Sequence, residues 1–320
     1  MNRKTGAVAA ALVVVAVSAL TGCSRPGASD DGPSPVIRLA AGVDPSYTPV
    51  YVAVDQGYFE DEGLDVEYFT TEGGPSMSQA VIAGEADVAV QSDATTVSLM
   101  PSAPQLRGLA SFEQSDTYIK VVHGKGVDSA KDIKKLATVD GVMTLAAVRY
   151  LESEGIDPES VEIVDAPPPD LPAILTRGDA DATVIFEPWA ARAAEEAQGK
   201  IVATIGDFGM SYSQWVVSTD DWVSENEAEA AKVLKAIERA DAFIRENPDE
   251  AARITEEMIQ TPAEQTLEIM KELEFEMSDL DQADLDAATA TAEFFLERGS
   301  IEKAPDLETQ MLLGFYAGKQ

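Results

Sequence analysis

The chain has 320 residues, a formal net charge of −34 and 45% hydrophobic residues. This length suits two domains with filled cores, and the hydrophobic fraction is too high for a disordered acidic tail. Nucleic acid is excluded as a partner, because neutralising phosphates requires positive charge. The single cysteine, Cys23, excludes a disulfide framework and leaves no thiolate for a metal site in the rest of the chain.

Residues 1–22 are predicted to be a signal peptide. Arg3 and Lys4 precede an uncharged run of Ala, Val and Leu that is shorter than the roughly 20 residues a membrane-spanning helix needs. The run ends in Leu-Thr-Gly-Cys at Cys23, which resembles the lipobox of bacterial lipoproteins, whose cysteine is acylated, for example with palmitate. We therefore expect an extracytoplasmic protein anchored to the cell membrane by lipid on Cys23, with residues 23–35 as a polar tether. The alternative is a plain secretory signal with an incidental cysteine.

From Val36 onward, short apolar strands alternate with amphipathic helices, which is typical of parallel α/β units. Strands are predicted at Val36–Ala41, Leu64–Thr70, Ala86–Val90, Leu106–Ala110, Tyr118–Val122, Val161–Val164 and Ala182–Phe186. Helices are predicted at Pro49–Phe59, Pro75–Ala83, Met143–Glu154, Asp170–Arg177 and Trp189–Ala197, with a capping box at Ser129-x-x-Asp132. Beyond Ser224, helix-start signals such as Asn247-Pro248 and Thr261-Pro262 predict a helical cover.

One short pattern occurs twice. A helix end is followed by a glycine, an acid, alanine and aspartate at Gly84–Asp87 and again at Gly178–Asp181. The glycine is predicted to cap the helix and turn the chain into a strand. The repeat favours two similar α/β lobes, although the same four residues are also simply a good helix-to-strand turn.

Several segments together resemble one family of transport proteins. They are Tyr47-Thr48-Pro49, the stretch from Val52 to Val66 that contains Gly-Tyr-Phe and Glu-Gly-Leu-Asp-Val, Gly73-Gly74-Pro75, and Ala83 to Ala89. In combination they are similar to the solute-binding proteins of ABC importers that handle sulfonates, taurine, nitrate and thiamine-type pyrimidines (NMT1/THI5-like). The resemblance extends from Val36 to about Arg298.

The resemblance implies an α/β, two-lobed periplasmic-binding-protein fold of type II, with each lobe a mixed sheet flanked by helices. Lobe 1 would comprise residues 36–115, with residues 216–320 as a C-terminal helical cover. Lobe 2 would comprise residues 116–206, and residues 207–215 would form the return crossing. Ligand would bind in the cleft between the lobes.

The function implied is that of a monomeric, lipid-anchored solute-binding protein that delivers a small molecule to an ABC-transporter permease, without a cofactor or metal. The candidate cleft loops are rich in acids and aromatics and lack lysine and arginine, which favours a small organic ligand that is nitrogen-containing or aromatic. One alternative is an anion such as a sulfonate, taurine or nitrate, held by helix N-termini. Another is an enzyme of the same fold acting on a pyrimidine-like substrate, but no catalytic motif supports enzymatic activity.

Ligands in open α/β sheets bind beyond the carboxyl ends of the strands. Candidate ligand-binding residues are therefore taken from the loops after predicted strands and from the two crossings. They are Asp44, Ser46, Tyr47, Gly74, Ser76, Ser92, Asp93, Phe112, Tyr118, Met143, Glu187, Trp189 and Tyr212.

Some of these residues have other plausible roles. Glu187 could be a solvated cap of the helix that begins at Trp189, and the aromatic rings of Tyr47 and Trp189 could pack in the core. The only histidine, His123, is expected to be a hydrogen-bonded or surface residue and not a catalytic base or metal ligand.

Replacing the lipidation residue tests the anchor. Cys23→Ser is expected to leave the protein unlipidated and to move most of it out of the membrane fraction, because no other segment is predicted to hold it there. Fractionation followed by immunoblotting measures this, with Ser24→Ala as the neighbouring control. Full membrane retention of the Cys23→Ser protein would contradict the lipoprotein prediction.

Overall fold

The structure is a computed structural model that describes residues 36–71 and 76–319. The predicted signal peptide, the tether with Cys23, and the candidate ligand residue Gly74 lie outside the described residues. Across the part of the chain that is described, no helix is both long and apolar enough to cross a bilayer.

The described residues form two mixed β-sheets. Their strands in chain order are β1 Val36–Ala41, β2 Asp65–Thr70, β3 Val88–Ser92, β4 Leu106–Ser115, β5 Ile119–His123, β6 Lys135–Thr138, β7 Glu162–Asp165, β8 Ala182–Phe186, β9 Lys200–Thr204, β10 Tyr212–Thr219 and β11 Glu274–Asp279. Sheet A has the order β11-β4-β10-β3-β1-β2 and sheet B the order β7-β6-β8-β5-β9. The predicted α/β class is confirmed.

Helices cover both sheets. They are α1 Thr48–Asp55, α2 Tyr58–Asp61, α3 Ser76–Ile82, α4 Asp93–Leu99, α5 Val142–Ser153, α6 Leu171–Arg177, α7 Trp189–Glu196, α8 Asp220–Glu225, α9 Glu227–Glu246, α10 Pro248–Ile259, α11 Ala263–Met270, α12 Gln282–Glu297 and α13 Leu307–Gln310. Short 3-10 turns include Pro45–Tyr47, Ala130–Asp132 and Ile205–Phe208. The capping box predicted at Ser129 and Asp132 is present.

The two sheets share one strand plan. β1 lies between the parallel strands β2 and β3, and β6 lies in the same way between β7 and β8. Beyond this parallel trio, β10 and then β4 continue sheet A, and β5 and then β9 continue sheet B. The order of five strands is therefore the same in both sheets, and β11 is an addition to sheet A.

The repeated Gly-acid-Ala-Asp pattern forms the same helix-to-strand turn beside each sheet. Gly84 and Gly178 have φ of 73° and 71°, a left-handed conformation that glycine adopts at little cost. The aspartate that follows then bonds the central strand of the parallel trio in its own sheet. Asp87 Oδ2 accepts from the Arg38 backbone N–H at 2.8 Å, and Asp181 Oδ2 accepts from the Lys135 backbone N–H at 2.9 Å.

Two crossings connect the sheets. The chain leaves sheet A at the end of β4 and enters sheet B at β5, and it returns from β9 through the turn at Ile205–Phe208 to β10. At the crossings, Gly206 N–H donates to the carbonyl of Asp116 at 2.8 Å. A Cβ on Gly206 would lie 2.9 Å from Cβ of Asp116, so the two passages run closely side by side.

The predicted C-terminal helical cover is present, but it contains one strand that the sequence did not predict. β11 lies between α11 and α12 and pairs antiparallel with β4, at the edge of sheet A. Its burial alternates along Glu274–Met277, with Phe275 and Met277 buried, which is the period-2 pattern of an edge strand. The alternation covers only four residues and lies between two helices. The helical patterns on both sides therefore dominate the sequence signal, and the strand is not predicted.

Asp181 provides a test of this duplicated turn. Asp181→Ala removes the acceptor of the Lys134 and Lys135 backbone N–H groups, both within 2.9 Å, and is expected to lower the free energy of unfolding by about 2 kcal/mol. Asp179→Ala is the control, because Asp179 makes only an exposed ion pair with Arg177 and should cost less than about 0.5 kcal/mol. Urea denaturation measures both. Equal losses in the two variants would contradict a structural role for Asp181.

Candidate functional site

The loop after β1 supplies the first part of the site. Asp44 caps the turn Pro45–Tyr47, accepting from the Ser46 backbone N–H at 2.8 Å and from the Ser46 hydroxyl at 2.6 Å. The Tyr47 ring lies directly over Gly42, where a Cβ would come within 2.3 Å of Cε2 of the ring. Glycine at position 42 therefore lets the tyrosine fold back over the loop, beside the Asp44 carboxylate.

The first crossing brings a second tyrosine to this carboxylate. Tyr118 is 1% exposed and its hydroxyl lies 3.4 Å from Oδ1 of Asp44. Its ring stacks on Phe186 of β8 at 5.8 Å and meets Tyr212 of β10 at 5.7 Å between ring centroids. Tyr118 thus joins the loop of sheet A to the end of a strand of sheet B.

The second crossing supplies an amide. Gln214 Nε2 donates to the Ser46 hydroxyl at 3.0 Å and to the Tyr212 hydroxyl at 2.6 Å. Both bonds use the amide N–H₂ group. The amide oxygen, Oε1, is buried and has no hydrogen-bond partner among the described residues.

Glu113 lies directly opposite Gln214 on the neighbouring strand β4. Residues that face each other in an antiparallel pair project to the same side of the sheet, so the two side chains are neighbours. Glu113 is fully buried, and neither of its carboxyl oxygens has a hydrogen-bond partner in the described part of the chain. The register shifts here, between Gln214 and Trp215, and such bulges re-aim side chains.

These side chains are called here the crossing cluster: Asp44, Ser46, Tyr47, Glu113, Tyr118, Tyr212 and Gln214. Burial first, and then nearby acids, raise the pKa of Glu113 well above its usual value. Burial also raises the pKa of Asp44, against the bonds from Ser46. The acids acting on Glu113 are Asp44, Asp93 and Asp241, and no basic group is among them.

Ser92 and Asp93 lie beside the cluster, at the start of α4. Ser92 pairs with Gln214 across β3 and β10, and its hydroxyl caps the helix through Thr95. Asp93 is half-buried and accepts from the Ala94 backbone N–H at 2.6 Å. Burial raises the pKa of Asp93 to about 7. Asp44 and Asp93 thus follow the carboxyl ends of two parallel strands, as the sequence predicted.

Glu187 has a protein partner that the sequence did not predict. Its Oε1 pairs with Lys120 Nζ at 2.7 Å, and its Oε2 accepts from the Ala191 backbone N–H of α7 at 3.0 Å. Lys120 also pairs with Glu272 at 2.6 Å, on the segment between α11 and β11. Glu187 is therefore a helix cap that is buried and ion-paired, not solvated.

The remaining candidates are more scattered. Phe112 is fully buried in the core of sheet A, and Met143 is 8% exposed in α5. Trp189 is half-buried at the start of α7, with the Arg192 guanidinium 5.6 Å from its ring centroid. Ser76 begins α3, and its hydroxyl lies 3.0 Å from that of Thr71. Whether any of these contacts ligand stays a prediction.

Sequence reasoning left out Glu113, Gln214 and Lys120. A weak signal existed for Glu113, a charged residue inside an otherwise buried strand at the predicted crossing. The positions of Gln214 and Lys120 depend on the pairing of distant strands, for which the sequence carries no local signal.

His123, the only histidine of the chain, is buried and hydrogen-bonded. His123 is 2% exposed, with Nε2 2.8 Å from the Tyr150 hydroxyl and Nδ1 3.3 Å from the carbonyl of Val127. Burial lowers its pKa. The prediction of a hydrogen-bonded histidine is confirmed. Within residues 36–71 and 76–319 no group of three or more His, Cys, Asp or Glu side chains is arranged to hold a metal ion.

The NMT1/THI5-like family model matches residues 44–251, which include the whole crossing cluster and both crossings. The chain belongs to this family. A Bacillus subtilis protein named for the binding of aliphatic sulfonates is 21% identical over 306 residues, covering 93% of this chain and 92% of that protein. The nitrate/nitrite binding protein NrtA of Synechococcus elongatus is 28% identical over 145 residues, 44% of this chain and 33% of the relative.

Solved structures show the same fold. The periplasmic aliphatic sulphonate binding protein SsuA from Escherichia coli has a TM-score of 0.78 at 17% identity, covering 87% of this chain and 92% of the other. The periplasmic nitrate-binding protein NrtA from Synechocystis has a TM-score of 0.68 at 16% identity, covering 89% and 88%. The predicted family, the periplasmic-binding fold and the general function of a small-ligand binding protein in ABC import are confirmed.

Lys120 is expected to hold its two carboxylates in place. Hydrogen bonds to Glu187 and Glu272 keep its pKa raised despite the opposing effect of burial. Lys120→Ala leaves Glu187, 5% exposed, without its cation, and should lower the free energy of unfolding by roughly 3 kcal/mol. Chemical denaturation at pH 7 measures this. Lys125→Ala, which removes only an exposed bond to Gln198, is the control and should have almost no effect.

Proposed function

We propose that this protein is an extracytoplasmic, lipid-anchored solute-binding protein that captures a small organic, nitrogen-containing ligand at the crossing cluster and passes it to an ABC importer. The observation that carries the ligand class is the set of unpartnered acceptors. Glu113 contributes two buried oxygens and Gln214 one, all without donors among the described residues. A buried acceptor without a donor is costly, so a ligand rich in N–H groups would gain most by binding there.

The aromatic side chains support the same class of ligand. Tyr47, Tyr118 and Tyr212 each interact electrostatically with both Asp44 and Glu113. Aromatic faces beside carboxylates suit a flat or apolar body that carries a nitrogen group. The candidate residues Tyr47, Tyr118 and Tyr212 then act as walls, and Asp44 and Glu113 as acceptors.

The relatives support the wider role. The two relatives are named as binding proteins for aliphatic sulfonates and for nitrate and nitrite, and the two structural neighbours are named as periplasmic binding proteins. The function proposed here is therefore binding without catalysis, outside the cytoplasm, by a monomer with an ABC permease as partner. Closure of the two lobes about residues 111–118 and 206–214 would enclose the ligand.

An anionic ligand is the second candidate, and the relatives named for sulfonates and nitrate favour it. In this chain an anion would have to enter a cluster whose neighbouring charges are acidic. Lys120, the buried base described above, already pairs with two carboxylates. The electrostatics of this chain therefore favour the nitrogen-containing ligand.

A thermal-shift screen of the full chain tests this function. The panel consists of amines, amidines and aminopyrimidines, each accompanied by an alcohol and a sulfonate of the same carbon skeleton. A nitrogen-containing compound should raise Tm more than its alcohol and sulfonate, since ligand at 100 times Kd adds about 2.7 kcal/mol of stability. Mass spectrometry should recover that compound unchanged.

Three results would contradict parts of the proposal. Stabilisation by sulfonates or nitrate alone would favour the anion-binding alternative. Chemical conversion of a bound compound would indicate an enzyme. The absence of any stabilising compound would contradict the solute-binding role itself.

A further inference from the structure

Glu113 is unusual among the buried carboxyl groups of this chain because of where it lies. It is on β4, with Gln214 opposite it on β10 and Phe275 opposite it on β11. The register shifts next to Glu113 in both of its pairings, since Glu113 and Ser111 lie on either side of the irregularity with β10 and of the irregularity with β11. A double irregularity of this kind is typical of a residue that is aimed at a site.

The charged groups that act most strongly on Glu113 are all acidic. Asp44 comes from the loop after β1, Asp93 from the start of α4, and Asp241 from α9. Arg245 of α9 donates instead to the backbone carbonyl of Phe275, the residue opposite Glu113 on β11. The hydroxyls of Tyr47, Tyr118 and Tyr212 interact electrostatically with Asp44 and Glu113. An ionised carboxylate in such a place is strongly unfavourable, so Glu113 holds a proton until a cation arrives.

We propose that Glu113 is the counter-ion for a positively charged nitrogen group of the ligand, and that it gives up its proton to solvent when that group binds. The inference rests on the proposed function and specifies the charge of its ligand. The ligand class is an organic ammonium or amidinium ion. One proton leaves the Glu113 carboxyl group for each cation that enters, and the charge of the cluster is unchanged by the exchange.

The acceptors present match this class. An ammonium group has three N–H donors and no acceptor. Glu113 and Gln214 together offer three buried oxygens that lack partners in the described residues. The faces of the cluster tyrosines add a favourable field for a cation. A neutral ligand would leave the proton on Glu113, and an anion would use that proton as a hydrogen-bond donor.

The direction of the pH dependence separates these cases. Because the cation requires ionised Glu113, its affinity should rise with pH, by up to about tenfold per pH unit while Glu113 is protonated in the free protein. An anion that needs the protonated carboxyl group would bind more weakly as pH rises. Calorimetry in two buffers with different heats of ionisation counts the proton released.

The probes are benzylamine, benzyl alcohol and phenylmethanesulfonate, with the best amine or amidine from the panel above in place of benzylamine if it binds more tightly. The amine should bind best, and it should release close to one proton at pH values where Glu113 is protonated in the free protein. Glu113→Gln should weaken its binding about thirtyfold or more, as loss of a buried charge partner does, and should abolish the proton release.

Asp87→Asn is the control. Asp87 is a partly buried acid beside sheet A, but it pairs with Arg38 and is not among the acids that act on Glu113. This variant should change the affinity for the amine less than threefold and leave the proton release intact. An equal loss of affinity in both variants would overturn the assignment to Glu113.

A second measurement needs no ligand. Since Glu113 has a raised pKa in the folded protein, the folded state holds more protons than the unfolded state, and this part of the stability is lost as pH rises. Glu113→Gln should therefore match the original protein in Tm near pH 5 and exceed it near pH 8. A lower Tm of the variant at both values would show that Glu113 is bonded within the protein, which overturns the inference.

The results also separate this inference from the proposed function. Tight binding of the alcohol or the sulfonate, with no proton released, overturns the counter-ion role while a solute-binding function stands. A protein that no compound of the panel stabilises contradicts the function, and the counter-ion role with it.

Discussion

The candidate site depends on the antiparallel pairing of the two crossing strands. β4 carries the chain toward sheet B and β10 brings it back, and they lie side by side in sheet A. This pairing puts Glu113 opposite Gln214, and Gln214 opposite Ser92 on the next strand. Polar side chains from three neighbouring strands of sheet A therefore form one row at the place where the chain passes between the sheets.

Charge is distributed very differently in the two parts of this region. Around Lys120, two carboxylates share one buried base, and burial is compensated by ion pairs. Around Glu113, the charges with the largest effect are the acids Asp44, Asp93 and Asp241, and Tyr118 interacts electrostatically with both Asp44 and Glu113. The first arrangement is internally neutralised and stabilises the meeting of α7, β5 and the segment before β11. The arrangement around Glu113 leaves buried acceptors without donors among the described residues, and a bound ligand would supply those donors.

The chain shares its fold with solved structures of low sequence identity, and this likeness of fold does not by itself specify the side chains at the crossings. Relatives named for sulfonates and nitrate have the same fold at 16–17% identity in solved structures. At such identity the fold is conserved by patterns of burial and turn geometry, while the side chains at the crossings are free to differ. The electrostatics of the crossing cluster, and not the fold, therefore support a ligand of opposite charge to a sulfonate.

The sequence by itself determined the α/β class, the two similar lobes and the residues after β1 and β3, because alternating strand and helix patterns and the Gly84 and Gly178 turns are local signals. It placed Asp44, Ser46, Tyr47 and Asp93 beyond the carboxyl ends of strands for the same reason. Only the tertiary structure decided that Glu187 is neutralised by Lys120, that β11 joins sheet A, and that Glu113 is buried without a partner. Each of these depends on which distant strands become neighbours, and that is set by packing of the whole chain, which short-range patterns do not encode.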